Sequence, residues 1–418
     1  MPRTVTHLLS CLFLLALCKI HWIIKILSSL EFNTLPPRIL LLSAYHAQSH
    51  AVWAERLQGL FPDWDWYCLS LPPRHFNWRI RSNGLHWAYA ERETLAGPWD
   101  LLIATSMVDL ASLRSLVPGL CAVPSVVYFH ENQFAYPENE TADARDNIEP
   151  KLVPIYSALS ADRSIFNSHF NRETFLEGVR NLSRRLPEPL PGDALKKLER
   201  ASVLAVPLLA RNADARGRNR EDPGSIEMDE PAVLDVVWNH RWEYDKNPAL
   251  LLAIVRQCLQ VEPGVRFHIV GQQFRQRPPE FEEIIRLLDR WGASRGKASG
   301  LRGYLEASDY RQLLQSADVV LSTARHDFQG LAVQEACMAG CSPLAPDALV
   351  YPEYLGPEFL YGADGSVAEV ADDVVKRLQG LLVRKTNGEK LPVPDLTRYE
   401  AAAVKKDYAS LFSELGVG

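Results

Sequence analysis

The sequence predicts an α/β protein with two domains, each built around a parallel sheet. Short apolar runs of strand length alternate with segments whose apolar residues recur at helical spacing, and one long polar segment interrupts the alternation. A length of 418 residues is enough for two such domains. A composition of 47% hydrophobic and 23% charged residues is typical of a globular protein with buried cores.

The first domain is predicted over residues 38–210. Its strand-like runs lie at 38–43, 100–106, 124–133 and 162–168. Segments with helical periodicity stand between them, the clearest being QSHAVWAERLQGLF (48–61) and HFNRETFLEGV (169–179). Strands connected through helices run parallel, and their carboxyl ends meet at one edge of the sheet, where ligands bind in such folds.

A second domain is predicted over residues 233–398, after a charged segment at 211–232 whose lack of periodicity is typical of a linker. Its strands are predicted at 233–240, 266–271 and 317–324, and its helices at 248–261, 279–292 and 331–340. A last helix within 399–418 is expected to pack back on the first domain. Two sheets whose strand ends face each other would enclose a cleft.

Residues 1–37 are predicted to be an apolar extension outside the fold. Lys19, His21 and Lys25 interrupt the apolar stretch, so its continuous part is shorter than the roughly 20 residues that span a bilayer. No small-residue cleavage site marks a secretory signal. An interfacial amphipathic anchor is the alternative, but we expect no stable membrane association.

Charge and cysteine content narrow the class of protein further. A net charge of −6 argues against non-specific coating of nucleic acid, although a local basic patch remains compatible with it. The seven cysteines form no CxxC pair. We therefore expect buried thiols in a reducing compartment, a cytoplasmic protein, and no metal site.

Two carboxylates, Asp327 and Glu335, frame the start of a predicted helix in the second domain. Gly330 permits close approach of a ligand to the backbone, and the free N–H groups of a helix beginning near Leu331 suit a phosphate. Glu335 lies about one turn into the helix, where its carboxylate could accept hydrogen bonds from a ribose diol. The alternative is a helix with solvated acidic residues.

Polar residues also follow three other predicted strands. Arg241 and Lys246 could neutralise a diphosphate leaving group, or they could pair with neighbouring acids in a solvated loop. His130, in YFHENQ, could handle a proton or bind a sugar, or it could sit in an ordinary turn. SAYHAQSH (43–50) has no Gly-rich turn. Its polar side chains could bind an acceptor, or they could only cap a helix. These side chains are Ser43, His46, Ser49 and His50.

The segment LPPRHFNWRIRSNGLHW (71–87) interleaves arginines with aromatic residues. Its members are Arg74, Arg79 and Arg81 with Phe76, Trp78 and Trp87. Cations that contact phosphates and rings that stack on bases are what a flexible RNA strand binds. The alternative is an ordinary exposed loop.

These motifs in this order resemble a known family. Asp327 to Glu335 resembles the E-x7-E element of retaining glycosyltransferases with the B-type fold, although Asp replaces the first Glu. Arg241 and Lys246 resemble the Arg/Lys phosphate pair of those enzymes. LLLSAYHAQSHAVWAERL and YFHENQFAYPENE resemble the tRNA-queuosine mannosyltransferases. The resemblance implies two Rossmann-like domains facing across a cleft, the GT-B fold, with a tRNA acceptor domain followed by a nucleotide-sugar domain.

The resemblance further implies that mannose moves from GDP-mannose to the cyclopentenediol of queuosine, at the wobble position of tRNA, with retained anomeric configuration. It implies no cofactor and no metal. The catalytic residues would be His130, Asp327, Arg241 and Lys246. The donor contacts would be Arg241, Lys246, Gly271, Phe328, Gln329, Gly330, Leu331 and Glu335. The acceptor contacts would be Ser43, His46, Ser49, His50, Arg74, Trp78, Arg79, Arg81, Glu131, Asn132 and Gln133.

Two alternatives stay open at this point. One is a related glycosyltransferase that acts on a lipid or glycan, which a membrane-binding N-terminus would favour. The other is a catalytically decayed nucleotide- or RNA-binding protein, which the Asp at position 327 would favour.

Overall fold

The computed structural model describes residues 35–136, 148–210, 233–260, 264–275, 277–295 and 300–418. The predicted linker at 211–232 and residues 1–34 of the predicted extension lie outside the described residues. Residues Arg38–Gly418 form one compact unit. None of the helices in the described ranges is both long and apolar enough to cross a membrane.

The first half of this unit is a six-stranded parallel sheet of order β2-β1-β3-β4-β5-β6. The strands are β1 Arg38–Ser43, β2 Asp65–Ser70, β3 Leu101–Thr105, β4 Ser125–Phe129, β5 Arg163–Phe166 and β6 Ser202–Val203. Every residue of β3 and β4 is buried. Continuous apolar runs are therefore what these strands require, since helices cover both faces of the sheet.

Seven helices connect and cover the first sheet within the described residues. They are α1 Gln48–Leu60, α2 Phe76–Ala90, α3 Arg92–Leu95, α4 Leu110–Leu116, α5 Glu149–Ser160, α6 His169–Ser183 and α7 Gly192–Glu199. Residues of α2, α4, α5, α6 and α7 share a core with one face of the sheet, and residues of α1 share a core with the other.

The second half is another six-stranded parallel sheet, of order β12-β11-β10-β7-β8-β9. The strands are β7 Leu234–Trp238, β8 Val265–Val270, β9 Arg302–Gly303, β10 Val319–Leu321, β11 Ser342–Pro346 and β12 Leu360–Tyr361. The helices are α8 Pro248–Cys258, α9 Glu280–Arg295, α10 Ala307–Ser316, α11 Leu331–Ala339, α12 Val367–Thr386 and α13 Ala401–Glu414. The predicted α/β class is confirmed.

The last helix, α13, packs on the first sheet beside α1. Tyr408 of α13 accepts a hydrogen bond from the Trp53 indole at 3.2 Å, and Phe412 shares the same core. A parallel bridge joins Leu208 to Glu400 just before the helix. The chain therefore crosses between the two halves twice, once after β6 and once before α13.

The Arg/aromatic segment at 71–87 is mostly the helix α2, so the alternative of an exposed loop is wrong. Ile80, Asn83 and Trp87 recur at helical spacing and are buried. Gly84 permits close packing on α4, because a Cβ there would lie 3.0 Å from the Asp109 carbonyl oxygen. Trp87 belongs to the core, so the prediction that it forms part of an RNA-stacking surface is wrong.

Candidate active site

The loops at the carboxyl ends of the two sheets meet across a cleft. Tyr136, in the segment after β4, packs its ring on that of His326, after β10, with centroids 4.2 Å apart. Arg56 of α1 forms an ion pair with Glu335 of α11. Among the predicted site residues, Glu131 of the first half lies within electrostatic reach of Arg241 and Lys246 of the second.

The predicted cation pair lies directly after β7. Lys246 is buried, and its Nζ donates to the His326 carbonyl oxygen at 2.5 Å. Arg241 keeps 43% of its side chain exposed, and its Nη1 lies 2.5 Å from Oε2 of Glu243. Neighbouring acids therefore pair with these cations, as the solvated-loop alternative assumed, but Lys246 is not solvated.

Asp245 holds this cluster together and was not predicted from the sequence. Its buried carboxylate lies 3.4 Å from Lys246 Nζ, 3.6 Å from Arg241 Nη2 and 3.7 Å from His326 Nδ1. Burial acts to raise the pKa of Asp245, but His326, Lys246 and Arg241 outweigh it and hold the pKa well below its usual range. An acid inside the stretch RWEYDK was the available signal.

Asp327 closes the loop that precedes α11. Its Oδ1 accepts from the Gly330 N–H at 3.0 Å, and its Oδ2 accepts from the Tyr351 hydroxyl at 3.0 Å and lies 3.9 Å from Lys246 Nζ. Burial acts to raise the pKa of Asp327, but Lys246 and other neighbours lower it. Both oxygens already have protein partners. The predicted contact with a donor sugar stays a prediction.

Gly330 begins α11 with a left-handed backbone at φ 70°. A Cβ there would lie 2.3 Å from the Tyr354 hydroxyl. The backbone of this glycine therefore lies close to a tyrosine side chain of the protein itself, in addition to any ligand that it could approach. Leu331 packs between two cores and Phe328 is buried beside the His326 ring. These two residues could therefore contact a ligand through their backbone groups without repacking of their side chains.

Gln329 contacts the chain itself through its side chain. Its Oε1 accepts from the Val206 N–H at 2.9 Å, and its Nε2 donates to the Val206 carbonyl and to Gln334, each at 3.1 Å. The amide is buried and its groups are used. We therefore correct the expected donor contact of this side chain to a structural one, which fastens the segment after β6 to α11.

Glu335 faces the first half of the chain. Its Oε1 pairs with Arg56, whose Nη1 also donates to the Pro207 carbonyl oxygen at 2.9 Å. Within the described part of the chain no hydrogen bond engages Oε2, which leaves it for the predicted ribose diol. Arg56 was not predicted, because nothing in a helix such as α1 marks a partner that lies far along the sequence.

The remaining predicted donor residue, Gly271, follows β8 with φ 143°. A Cβ there would lie 1.9 Å from the carbonyl oxygen of His240, after β7. Any side chain would therefore push apart the ends of these two neighbouring strands, directly beside Arg241.

Three histidines cluster at the end of the first sheet. His46 Nδ1 lies 2.9 Å from Ser43 Oγ, and the rings of His50 and His130 have centroids 4.1 Å apart. His50 and His130 are buried, and their Nε2 atoms have no hydrogen-bond partner among the described residues. Burial and His46 lower the pKa of His50 to about 3, and burial and His50 lower that of His130 well below its usual range. Both rings are therefore neutral near pH 7.

The loop after β4 contains two predicted acceptor residues, Asn132 and Glu131, that differ in their surroundings. Asn132 is saturated: its amide donates to Asn171 and to Thr174 Oγ1, and its Oδ1 accepts from two backbone N–H groups. We therefore assign Asn132 to the structure of the loop and not to an acceptor. Glu131 faces the cleft, where burial raises its pKa although His326 and Arg241 oppose the rise. Gln133 and Ser49 are at least partly exposed beside these groups.

The arginines of the segment 71–87 point in different directions. Trp78 is 74% exposed and Arg74 is exposed. Arg81 lies 2.8 Å from Asp109 and 3.1 Å from Glu149. Arg79 lies on the inner face of α2, and its Nη1 is buried without a hydrogen-bond partner in the part of the chain that is described. The three arginines therefore do not form one continuous basic patch.

No group of three or more His, Cys, Asp or Glu side chains that could hold a metal ion occurs within the described ranges. The groups that could bind a diphosphate there are the cations of Arg241 and Lys246 and the backbone at the start of α11.

Solved structures share this fold at low sequence identity. Sucrose-phosphate synthase from Thermosynechococcus elongatus has a TM-score of 0.60 at 14% identity, covering 91% of this chain and 99% of that one. HepE of Anabaena, in complex with UDP and glucose, has a TM-score of 0.58 at 16% identity, covering 90% of this chain and 100% of that one. The predicted GT-B fold is confirmed.

Two family descriptions match the sequence. "tRNA-queuosine alpha-mannosyltransferase N-terminal" matches residues 38–208, and "Glycosyl transferases group 1" matches residues 229–387. The tRNA-queuosine alpha-mannosyltransferase of Drosophila melanogaster is 31% identical to this chain over 379 residues. The matched region covers 90% of this chain and 97% of that protein. The predicted glycosyltransferase activity is confirmed, and the chain belongs to the tRNA-queuosine alpha-mannosyltransferase family.

Proposed function

We propose that this glycosyltransferase moves mannose from GDP-mannose to the cyclopentenediol of queuosine in tRNA, with retention at the anomeric carbon. The observation that carries the proposal is a juxtaposition. The Glu131–Tyr136 loop, from the half that matches the tRNA-queuosine enzymes, lies against the Arg241–Lys246 cluster of the half that matches glycosyltransferases. Because the acceptor is tRNA, we propose the cytoplasm as the compartment.

The second half would hold the donor. Negative charge grows on the diphosphate as the bond to the sugar breaks, and Arg241 and Lys246 would stabilise it together with the N–H groups at the start of α11. A preorganised donor of this kind typically contributes about 3 kcal/mol. Glu335 would bind the ribose through Oε2. These two cations would neutralise the diphosphate without a metal, and no cofactor is required.

Arg241 has to leave Glu243 to reach a diphosphate, whereas Lys246 is already held in position by Asp245 and the His326 carbonyl oxygen. We therefore assign the fixed contact to Lys246 and the mobile one to Arg241. Fixed charges stabilise a transition state without a reorganisation cost, so Lys246 should contribute more to kcat.

The first half would present the acceptor. Neutral His130 and His50 can exchange hydrogen bonds with sugar hydroxyls through their unpartnered Nε2 atoms. Glu131 would accept from the cyclopentene diol. We assign no enzymic nucleophile, so the leaving phosphate would take the proton of the attacking hydroxyl.

The test is a panel of purified components. Full-length protein is incubated with GDP-mannose or UDP-glucose, and with tRNA that contains queuosine or tRNA from queuine-starved cells. We expect a hexose only on queuosine and only with GDP-mannose, seen by nucleoside mass spectrometry. Transfer to a lipid or glycan with none to tRNA would refute the proposal, and so would binding of GDP with no transfer to any acceptor.

A further inference from the structure

Arg79 differs from the other arginine of α2 in what surrounds it. Phe76, Arg79, Ile80 and Asn83 lie three or four residues apart, on the helix face that turns toward the protein. Ile80 and Asn83 are buried, and the Asn83 amide donates to the Arg79 carbonyl oxygen at 2.6 Å. The Arg79 side chain therefore leaves α2 on its inner face.

The charge of Arg79 has no counterpart there. Its Nη1 is buried without a hydrogen-bond partner, and no ion pair joins it to another of the described residues. Arg81 is satisfied by Asp109 and Glu149. Burying a guanidinium nitrogen without a partner is costly, and an anion bound beside the half-buried Arg79 would remove that cost.

The guanidinium of Arg79 lies within electrostatic reach of the loop that follows β1. Phe76 packs edge-on against Tyr45, just after β1, with ring centroids 5.9 Å apart. The hydroxyl of Tyr45 lies within electrostatic reach of Arg79, and also of Glu131 and Arg241. An anion bound by Arg79 would thus sit beside the predicted acceptor residues.

We propose that Arg79 binds a phosphodiester of the RNA strand, next to the nucleotide that receives the sugar. This inference rests on the proposed function, because it assigns a further contact to the same acceptor. An RNA phosphate is favoured over the donor diphosphate, since the donor has its own cations, Arg241 and Lys246, on the other half. The neighbouring Trp78 is 74% exposed and offers a ring on which an adjacent base can stack.

The test measures binding of a synthetic anticodon stem-loop to the wild type, to Arg79→Gln and to Arg180→Gln. Arg79→Gln should weaken binding about 10- to 100-fold, as expected for one charge-assisted contact. The slope of log affinity against log salt should become shallower by about 0.7, the value for one phosphate of a single strand. Arg180→Gln is the matched control, because Arg180 of α6 belongs to no predicted site and its charge is already paired with Glu199 at 2.6 Å, so its slope should equal that of the wild type.

Affinity for GDP, measured on the same proteins, separates the two sources of phosphate. It should be unchanged in Arg79→Gln. A loss of GDP affinity with an unaltered salt slope for the stem-loop would overturn the inference, and so would equal slopes in all three proteins. Thermal unfolding of each variant shows whether a loss reflects misfolding. If stem-loop binding behaves as expected but no hexose is transferred, the proposed function fails and the phosphate contact stands.

Discussion

Replacing Lys246 by methionine removes the fixed cation and keeps most of the buried side-chain volume. At an effective dielectric constant of about 20, a unit charge 3.4 Å from Asp245 and 3.9 Å from Asp327 gains about 4 to 5 kcal/mol from each before desolvation is subtracted. Removing one partner of a buried ion pair typically costs about 3 to 5 kcal/mol, and we expect a loss near 3 kcal/mol because Asp245 keeps Arg241 nearby and Asp327 keeps the Tyr351 hydroxyl. The variant should remain folded.

The variant should also lose most of its activity. Loss of one preorganised donor to a developing phosphate charge typically lowers kcat by 10² to 10³, so Lys246→Met should retain less than about 1% of wild-type turnover. Steady-state transfer assays and GDP titration measure this, and Lys406→Met on the exposed face of α13 is the control. A Lys246→Met protein with wild-type kcat and wild-type affinity for GDP would refute the assignment.

The same variant makes a prediction about acid stability. Lys246 lowers the pKa of Asp245 and of Asp327. A carboxyl group whose pKa is lower in the folded chain contributes stability above its unfolded pKa, near 3.9, and this contribution is lost as the pH falls through the folded value. Without Lys246 both pKa values rise, so Lys246→Met should unfold at a higher pH than the wild type. Identical acid-unfolding midpoints would contradict the described ion pairs.

Further predictions concern three other contacts. Arg56→Met and Glu335→Gln should each destabilise the protein by about 1 to 3 kcal/mol, and the double variant by less than their sum, because they share one ion pair; additive losses in denaturant titrations would mean that the pair does not form. Asp327→Ala should lower the melting temperature more than Asp327→Asn, because asparagine keeps an acceptor for the N–H at the helix start; equal melting temperatures would exclude this role. Buried neutral His50 binds a proton only in the unfolded chain between about pH 6.5 and 3. This site therefore lowers the free energy of unfolding by up to about 1.4 kcal/mol for each unit by which the pH is lowered in that range. His50→Phe should flatten that dependence, and an unchanged dependence would refute the lowered pKa.

The elements that the sequence predicts well are those buried on both faces. Strands such as β1, β3 and β4 are continuous apolar runs because helices cover both sides of the sheet. β2 was not predicted, because it is an edge strand with mostly exposed side chains and no apolar run. α12 was also not predicted, although Ser366 and Glu369 form a capping box, which is a local signal for a helix start.

The site divides in the same way. Residues next to the carboxyl end of one strand, such as Arg241 and His130, follow from the pattern, because parallel strands bring their ends together. The roles of Asp327 and Gln329 could not be predicted from the pattern, because their partners Tyr351 and Val206 come from distant parts of the chain. Local sequence therefore predicted which residues lie near the cleft, but not which of their polar atoms are already occupied.

The transferred sugar itself can be followed with an isotope label. Wild-type protein is incubated with GDP-mannose labelled with ¹³C in the mannose ring and with tRNA containing queuosine, and the mass of the queuosine nucleoside is then measured. We expect queuosine to gain one labelled hexose and Lys246→Met to abolish nearly all of this gain. An unlabelled or unmodified queuosine nucleoside from the wild-type reaction would refute mannose transfer by this enzyme.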